Sequence, residues 1–280
     1  MQAYDTDGNY EQAAVNSESL AETFLYEGNL CEALIAVDLG RGGLPYAELS
    51  SNAFRRMQTV ALKGQIVHFM GRVEEAEEAF ATAEQIRVEQ CGTRRPIGSL
   101  YLLDLLGEAG RYEELLQLAN RFHPLLDSRK AKSFTGGFYL FLGQGLGLRS
   151  VREGDLSSAG EALRLLDNAR RLIDESMLPH LQARAPCIRA RLLTDLGKFE
   201  QAKSDLDWAL SFSEHARLRI YEIDSLVGFT YLYLRSDDPS TAGTYLERAR
   251  RVMTHGSYAR PKRLMEELTT RIQAREQSST

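Results

Sequence analysis

The sequence predicts an all-α fold, a solenoid of antiparallel helical hairpins, on three observations. One phrase, a turn glycine followed by a fixed order of small and bulky residues, recurs along the chain. Upstream of each copy lies a second apolar-periodic segment long enough for a helix. Proline is scarce, at 7 of 280 residues, so few helix interiors are interrupted.

The phrase reads GNLCEALIAVDLG at 28–40, GRVEEAEEAFATA at 71–83, GRYEELLQLANRF at 110–122 and GKFEQAKSDLDWA at 197–209. Looser copies are GEALRLLDNA at 160–169 and DPSTAGTYLERA at 238–249. Its key positions, Ala33, Ala76, Leu115, Ala162, Ala202 and Ala242, are 43, 39, 47, 40 and 40 residues apart. A recurrence of that length marks a stacked-repeat architecture. Within a copy, residues at i, i+4 and i+7 (Ala76, Phe80, Ala83; Ala202, Leu206, Ala209) share one helical face.

The preceding helices are expected over 60–70, 99–109, 138–148, 188–196 and 226–234. Glycine between the two helices suits a left-handed C-terminal cap. In the last copy Asp238-Pro239 stands instead, an N-cap with proline at the first helical position. Alanine at the key positions lets two helix axes approach closely. One such hairpin cannot bury its apolar face alone, so neighbours stack over a shared core.

The remaining elements follow from their own patterns. Residues 10–27 read as one long first helix, or as the remnant of a truncated unit. In the fourth unit Gly154 sets one register and Ala162, Leu166 and Ala169 another; the second is favoured, with a longer turn through 152–157. Residues 260–277 form a capping helix with Leu264, Leu268 and Ile272 on one face and a solvated outer side, and 278–280 are expected to be disordered. Pro186 either starts a helix or kinks one running from Pro179; a kink would release the Gln182 carbonyl near Arg184 and Arg191. The whole chain, 1–280, is expected to be one domain of about six helix pairs over 10–253 plus the cap.

This grammar resembles the tetratricopeptide repeat family, in the turn glycine with an apolar or aromatic residue two later (Gly28/Leu30, Gly71/Val73, Gly110/Tyr112, Gly197/Phe199) and the Ala, bulky, small triplet after it. The resemblance covers about 17–253 and implies a right-handed superhelix. The chain departs from the family in its period, near 40 against about 34, and in lacking the early tryptophan and closing proline. Its longer units are similar to the variant in large bacterial signalling regulators such as the maltose-operon activator.

Composition and motifs exclude several functions. The net charge is −5, which argues against direct nucleic-acid binding. No apolar run reaches the ~18 residues of a membrane span, and the polar start MQAYDTDGNYEQ is no secretory signal. A cytoplasmic location is expected. Cys31, Cys91 and Cys187 form no CxxC, and the five histidines form neither HExxH nor an i, i+4 pair, so no metal and no cofactor is expected. GQGLGLR at 143–149 lacks the GK[ST] of a phosphate loop; three glycines at i, i+2 and i+4 read as close helix contacts. No nucleophile–base set is legible, so the chain is expected to be non-catalytic.

Charge is uneven: residues 1–140 carry 13 basic and 20 acidic side chains, and 141–280 carry 21 and 19. Arginines gather at 184, 189 and 191 and at 248–263, either as an anion-accepting region or as solvated faces paired with Glu247, Glu266 and Glu267.

The family resemblance implies that first helices line a concave groove. It turns Glu18, Glu22, Gln58 and Asp224 toward the groove, together with the expected contact set Gln65, His68, Phe69, Asp104, Phe141, Gln144, Arg184, Arg191 and Tyr231. The implied function is a scaffold binding a protein or peptide partner. The alternative is the effector-sensing segment of a larger bacterial signalling or transcriptional regulator, binding a small molecule. Self-association is left open.

Overall fold

A computed structural model describes residues 10–41, 44–92, 97–123, 132–253 and 257–278. The chain divides into two units, Met1–Leu105 with Gly256–Ala259, and Leu106–His255 with Arg260–Thr280.

In the first unit α1 (Tyr10–Tyr26) is followed by α2 (Leu30–Val37), which packs against it. Two short antiparallel strands, β1 (Gly40–Arg41) and β2 (Leu44–Pro45), pair Gly40 with Pro45 and Arg41 with Leu44, the only sheet among the described residues. After α3 (Tyr46–Leu49) come α4 (Ala53–Phe69) and α5 (Val73–Ile86), the latter running on into a π-helical turn, Arg87–Cys91. Asn52 caps α4 by accepting from the Arg55 amide at 3.2 Å. The core joins Val67, Ala76, Phe80 and Leu105, the last on α6 (Ile97–Glu108). Tyr258 is fully buried edge-on to Phe69, with centroids 5.7 Å apart, and the Ala259 amide donates to the Phe69 carbonyl.

The second unit holds α7 (Tyr112–Phe122), α8 (Lys132–Glu153), α9 (Leu156–Ser176), α10 (Pro179–Asp195), α11 (Phe199–His215), α12 (Arg219–Arg235), α13 (Pro239–Met253) and α14 (Lys262–Ser278). They pack in pairs, α8 on α9, α10 on α11 and α12 on α13. The first helices of successive pairs also pack on each other, α8 on α10 and α10 on α12, while α14 closes on α12 and α13. This is the all-α stack of hairpins that the repeat predicts.

The turns explain the regular spacing. At Gly71 φ is +79°; its amide donates to the His68 carbonyl while Arg72 donates to Val67, which satisfies two orphan carbonyls of α4. The same pair of bonds recurs at Gly28, Gly110 and Gly197. In the last turn Asp237 takes the left-handed place, and Asp238 caps α13 by accepting from the Thr241 amide at 3.0 Å. The six key positions, Ala33, Ala76, Leu115, Ala162, Ala202 and Ala242, are all 0% exposed.

Three details differ from the sequence reading. The fourth turn is short, because Gly154 is left-handed and Asp155 caps α9; Ala162, Leu166 and Ala169 still form the buried face, since α9 is long enough for both signals. On α14 the buried positions are Met265, Leu268 and Ile272, so Met265 replaces Leu264 in the packed stripe. Ser278 ends that helix, contrary to expected disorder; 279 and 280 lie outside the described residues. Helix α10 runs from Pro179 through Pro186, so Pro186 does not start a helix.

Among the described residues no helix is long and apolar enough to cross a membrane.

Candidate functional site

A cleft of about 400 Å³ opens in the second unit. Its wall is α10, where Arg184, Ile188, Arg191 and Asp195 follow one another at helical spacing on one face. Gln144 of α8 and Asp224 and Tyr231 of α12 flank it, with Glu108 at the end of α6. The residues before and along the start of α14, from Arg260 to Glu267, line it as well.

Close helix contacts shape the walls. A Cβ at Gly143 would lie 3.0 Å from Leu166, and one at Gly228 would lie 2.6 Å from Leu206. The glycines of the 143–149 run are therefore packing points, as the sequence implies.

Each cleft arginine of α10 lies over an aromatic ring from an adjacent first helix. Arg184, 2% exposed, has its guanidinium carbon 4.8 Å from the Phe141 centroid. Arg191 lies 3.5 Å from the centroid of Tyr231. A guanidinium over the face of an aromatic ring is attracted by the ring's electron density, the more so where water is excluded.

The acids are held by other donors as well. Glu108 pairs directly with Arg260 and lies 3.6 Å from Arg184. Asp195 accepts the Tyr231 hydroxyl and lies 3.5 Å from Arg191. Burial pushes the Tyr231 phenol above its ordinary value. Cys187 contacts Ser225 at 3.2 Å, and burial pushes its thiol up to about 12. His180, one turn before Arg184, is pushed down to about 4 by burial and then by the charge of Arg184.

No protein-family model matches the chain, and no curated protein matches it. Among solved structures, the Rap protein complexed with Competence and Sporulation Factor superposes with a TM-score of 0.59, covering 92% of this chain and 75% of that one at 11% identity. With the left-handed turns and the buried key positions, that likeness decides the architecture. The fold is tetratricopeptide-like. The TPR2AB domain of yeast Sti1, solved as a pHSP90 complex, aligns at 13% identity over 94% of this chain and 99% of that one, with a TM-score of 0.34, too low to bear on the fold.

In this tetratricopeptide-like frame the expected contact residues divide by unit. Gln144, Arg184, Arg191 and Tyr231 line the one cleft, joined by Asp224, and Phe141 is buried beneath Arg184. Gln65, His68, Phe69 and Asp104 belong to the first unit and are buried there, His68 beside Phe69. Also in the first unit, Glu18 accepts from Thr59 and pairs with Arg55 at 2.7 Å, and burial together with Glu18 raises Glu22.

Arg189 departs from its neighbours 184 and 191. It bonds Asp205 at 2.6 Å and Asp167 at 2.8 Å, and Asp205 also receives Arg170 at 3.1 Å. This cluster ties α9, α10 and α11 together.

Glu108, Asp195 and Cys187 are cleft residues that the sequence reading missed. Glu108 is one turn beyond Asp104 and Asp195 one turn beyond Arg191, so extending each face by four residues would have found both. The contribution of residues 260–267 was legible only in part: the charge pattern groups Arg260 and Arg263 with Arg184 and Arg191, while the helix periodicity shows only that α14 packs.

Proposed function

We propose that the chain is a non-catalytic scaffold that receives a segment of a protein or peptide partner in the cleft between α8, α10 and α12. The single observation behind this reading is the lining itself. Successive first helices deliver stacked arginines, an amide, a tyrosine and apolar side chains to one open cleft, the mixture that recognises an extended segment. The Rap protein, with the same fold, was solved with Competence and Sporulation Factor bound, which supports a binding role for the architecture. The cleft's chemistry supports a non-catalytic one: the Cys187 thiol at about 12 and the raised Tyr231 phenol stay protonated near neutral pH, so neither is a ready nucleophile.

The test is selection of binders from a random peptide display on immobilised protein, followed by counter-selection on Arg191→Glu and Leu264→Asp. Binders that fail on both variants, with unchanged far-UV circular dichroism, fit the proposal. Binders that hold equally well to the variants overturn it.

A volume of about 400 Å³ also falls in the range of small-ligand sites, which favours a second reading, a small effector. A thermal-shift screen with metabolites distinguishes it: stabilisation by one compound, absent in Arg191→Glu, selects the effector.

A further inference from the structure

Among the described residues, four arginines and four carboxylates line the cleft, so its lining carries no net charge. The balance is also local. Glu108 pairs directly with Arg260 and lies 3.6 Å from Arg184, and Asp195 lies 3.5 Å from Arg191 while accepting the Tyr231 hydroxyl. Arg263 and Glu267 stand one turn apart on α14, at the i,i+4 spacing that lets opposite charges offset each other. An acidic or basic side chain entering the cleft would give up water and have to draw a counter-charge away from its present neighbour.

What the lining offers instead is apolar surface and one unmet acceptor. Leu148 of α8 and Leu264 of α14 line the cleft half-buried, and Ile188, 9% exposed, stands between Arg184 and Arg191 on α10. Gln144, one turn before Leu148, has its Oε1 buried with no hydrogen-bond partner among the described residues, and a donor from a ligand would relieve that cost. An uncharged segment supplies both complements: apolar side chains, and a main-chain N–H at every residue except proline. We propose that the cleft selects a neutral, apolar segment of its partner, seated by large uncharged side chains against Leu148, Ile188 and Leu264 and held by a main-chain N–H donated to Gln144. The paired arginines then act as a barrier to charged sequences and not as docking points, since specificity comes from excluding competitors as well as from binding.

This inference rests on the cleft being a segment-binding site, and its test is separable from the display experiment. Three randomised pools of short peptides, acetylated and amidated to remove terminal charge, are built from Ala, Ser, Gln, Leu, Val and Phe alone, from that set with Glu, and from that set with Lys. Each pool is passed over the immobilised chain, peptides also retained by Leu264→Asp are discarded, and the rest are measured by fluorescence polarisation. Uncharged peptides are expected to bind roughly tenfold or more tightly than those with Glu or Lys, and to hold their affinity as salt is raised, because no charge is being screened. Gln144→Leu keeps the size and removes the acceptor, and is expected to weaken them about twofold to tenfold. Methylating the main-chain nitrogens of the best peptide one at a time should find a position that loses affinity for the parent chain and not for Gln144→Leu. Leu264→Ser, at a half-buried position, also weakens binding and remains informative if the Gln144 variant folds poorly. A charged pool binding as tightly as the uncharged one, affinity that falls with salt, a methylation profile identical in parent and Gln144→Leu, or no uncharged binder overturns the inference. Charged display-selected binders that fail on the cleft variants would overturn it too, and would leave the segment-binding reading standing.

Discussion

Arg191 lies over the Tyr231 ring, its guanidinium carbon 3.5 Å from the ring centroid, while the Tyr231 hydroxyl donates to Asp195 on the next turn of Arg191's own helix. Three residues from two repeats thus form one closed unit in the cleft wall. The hydroxyl keeps a carboxylate that is only 5% exposed from standing short of a donor. Tyr231→Phe preserves the ring and removes that donor. It is expected to lower stability by about 1–3 kcal/mol, read as a lower urea midpoint at unchanged slope; an unmoved midpoint would show that Asp195 does not depend on the hydroxyl.

Ala202 shows how the hairpins are held. It is fully buried in α11, at the contact with its pair. Ala202→Asp puts a carboxylate there without a partner and is expected to cost several kcal/mol. A thermal melt that matches the parent protein would mean that the repeat register is misassigned.

Two glycines separate close packing from mere helix weakness. A Cβ at Gly145 would overlap the buried Leu115 side chain, whereas one at Gly243 would meet nothing within 4 Å. Gly145→Ala should destabilise by about 1–3 kcal/mol through overpacking. Gly243→Ala should stabilise by up to about 1 kcal/mol, because alanine is the better helix former. Denaturant midpoints that shift in the same direction for both would contradict the packing assignment.

His180 gives the second unit an acid-sensitive component. Its folded pKa is about 4, below the ordinary 6.5, owing first to burial and then to Arg184. Between those values the unfolded chain binds the extra proton, so stability rises with pH across that window and is lost as pH falls from about 6.5 toward 4. His180→Gln should flatten the urea midpoint against pH in that interval. A profile as steep as the parent's would assign the dependence to other groups.

Much of this architecture was legible in the sequence because local chemistry sets it. A left-handed glycine such as Gly71 ends one helix at a definite residue, and a buried alanine such as Ala76 five residues later sets the face of the next. Asp238 and Pro239 set the same boundary by different means. The cleft was less legible, since its parts come from elements far apart in sequence. Arg184 and Arg191 could be named from helical spacing, but the stacking of Phe141 on one and Tyr231 on the other depends on how successive first helices pack. Residues 260–267 are the clearest case: the periodicity of α14 predicts a packed stripe, yet Arg260 meets Glu108 across more than 150 residues of sequence, a pairing that charge pattern alone does not select. The register error at Leu264 has the same source. Leu264 and Met265 are both apolar, and only the position of the cleft decides which one packs inward.

The account turns on where a partner touches the chain. Site-specific photo-crosslinking answers that directly, with a photoreactive residue in place of Arg263 on the exposed rim of the cleft or of Met177, which is 75% exposed and not part of it. The account predicts that a partner drawn from the native lysate crosslinks from position 263 and not from 177, and that Arg191→Glu abolishes the product. Equal crosslinking from 177, or a product that survives Arg191→Glu, would contradict it.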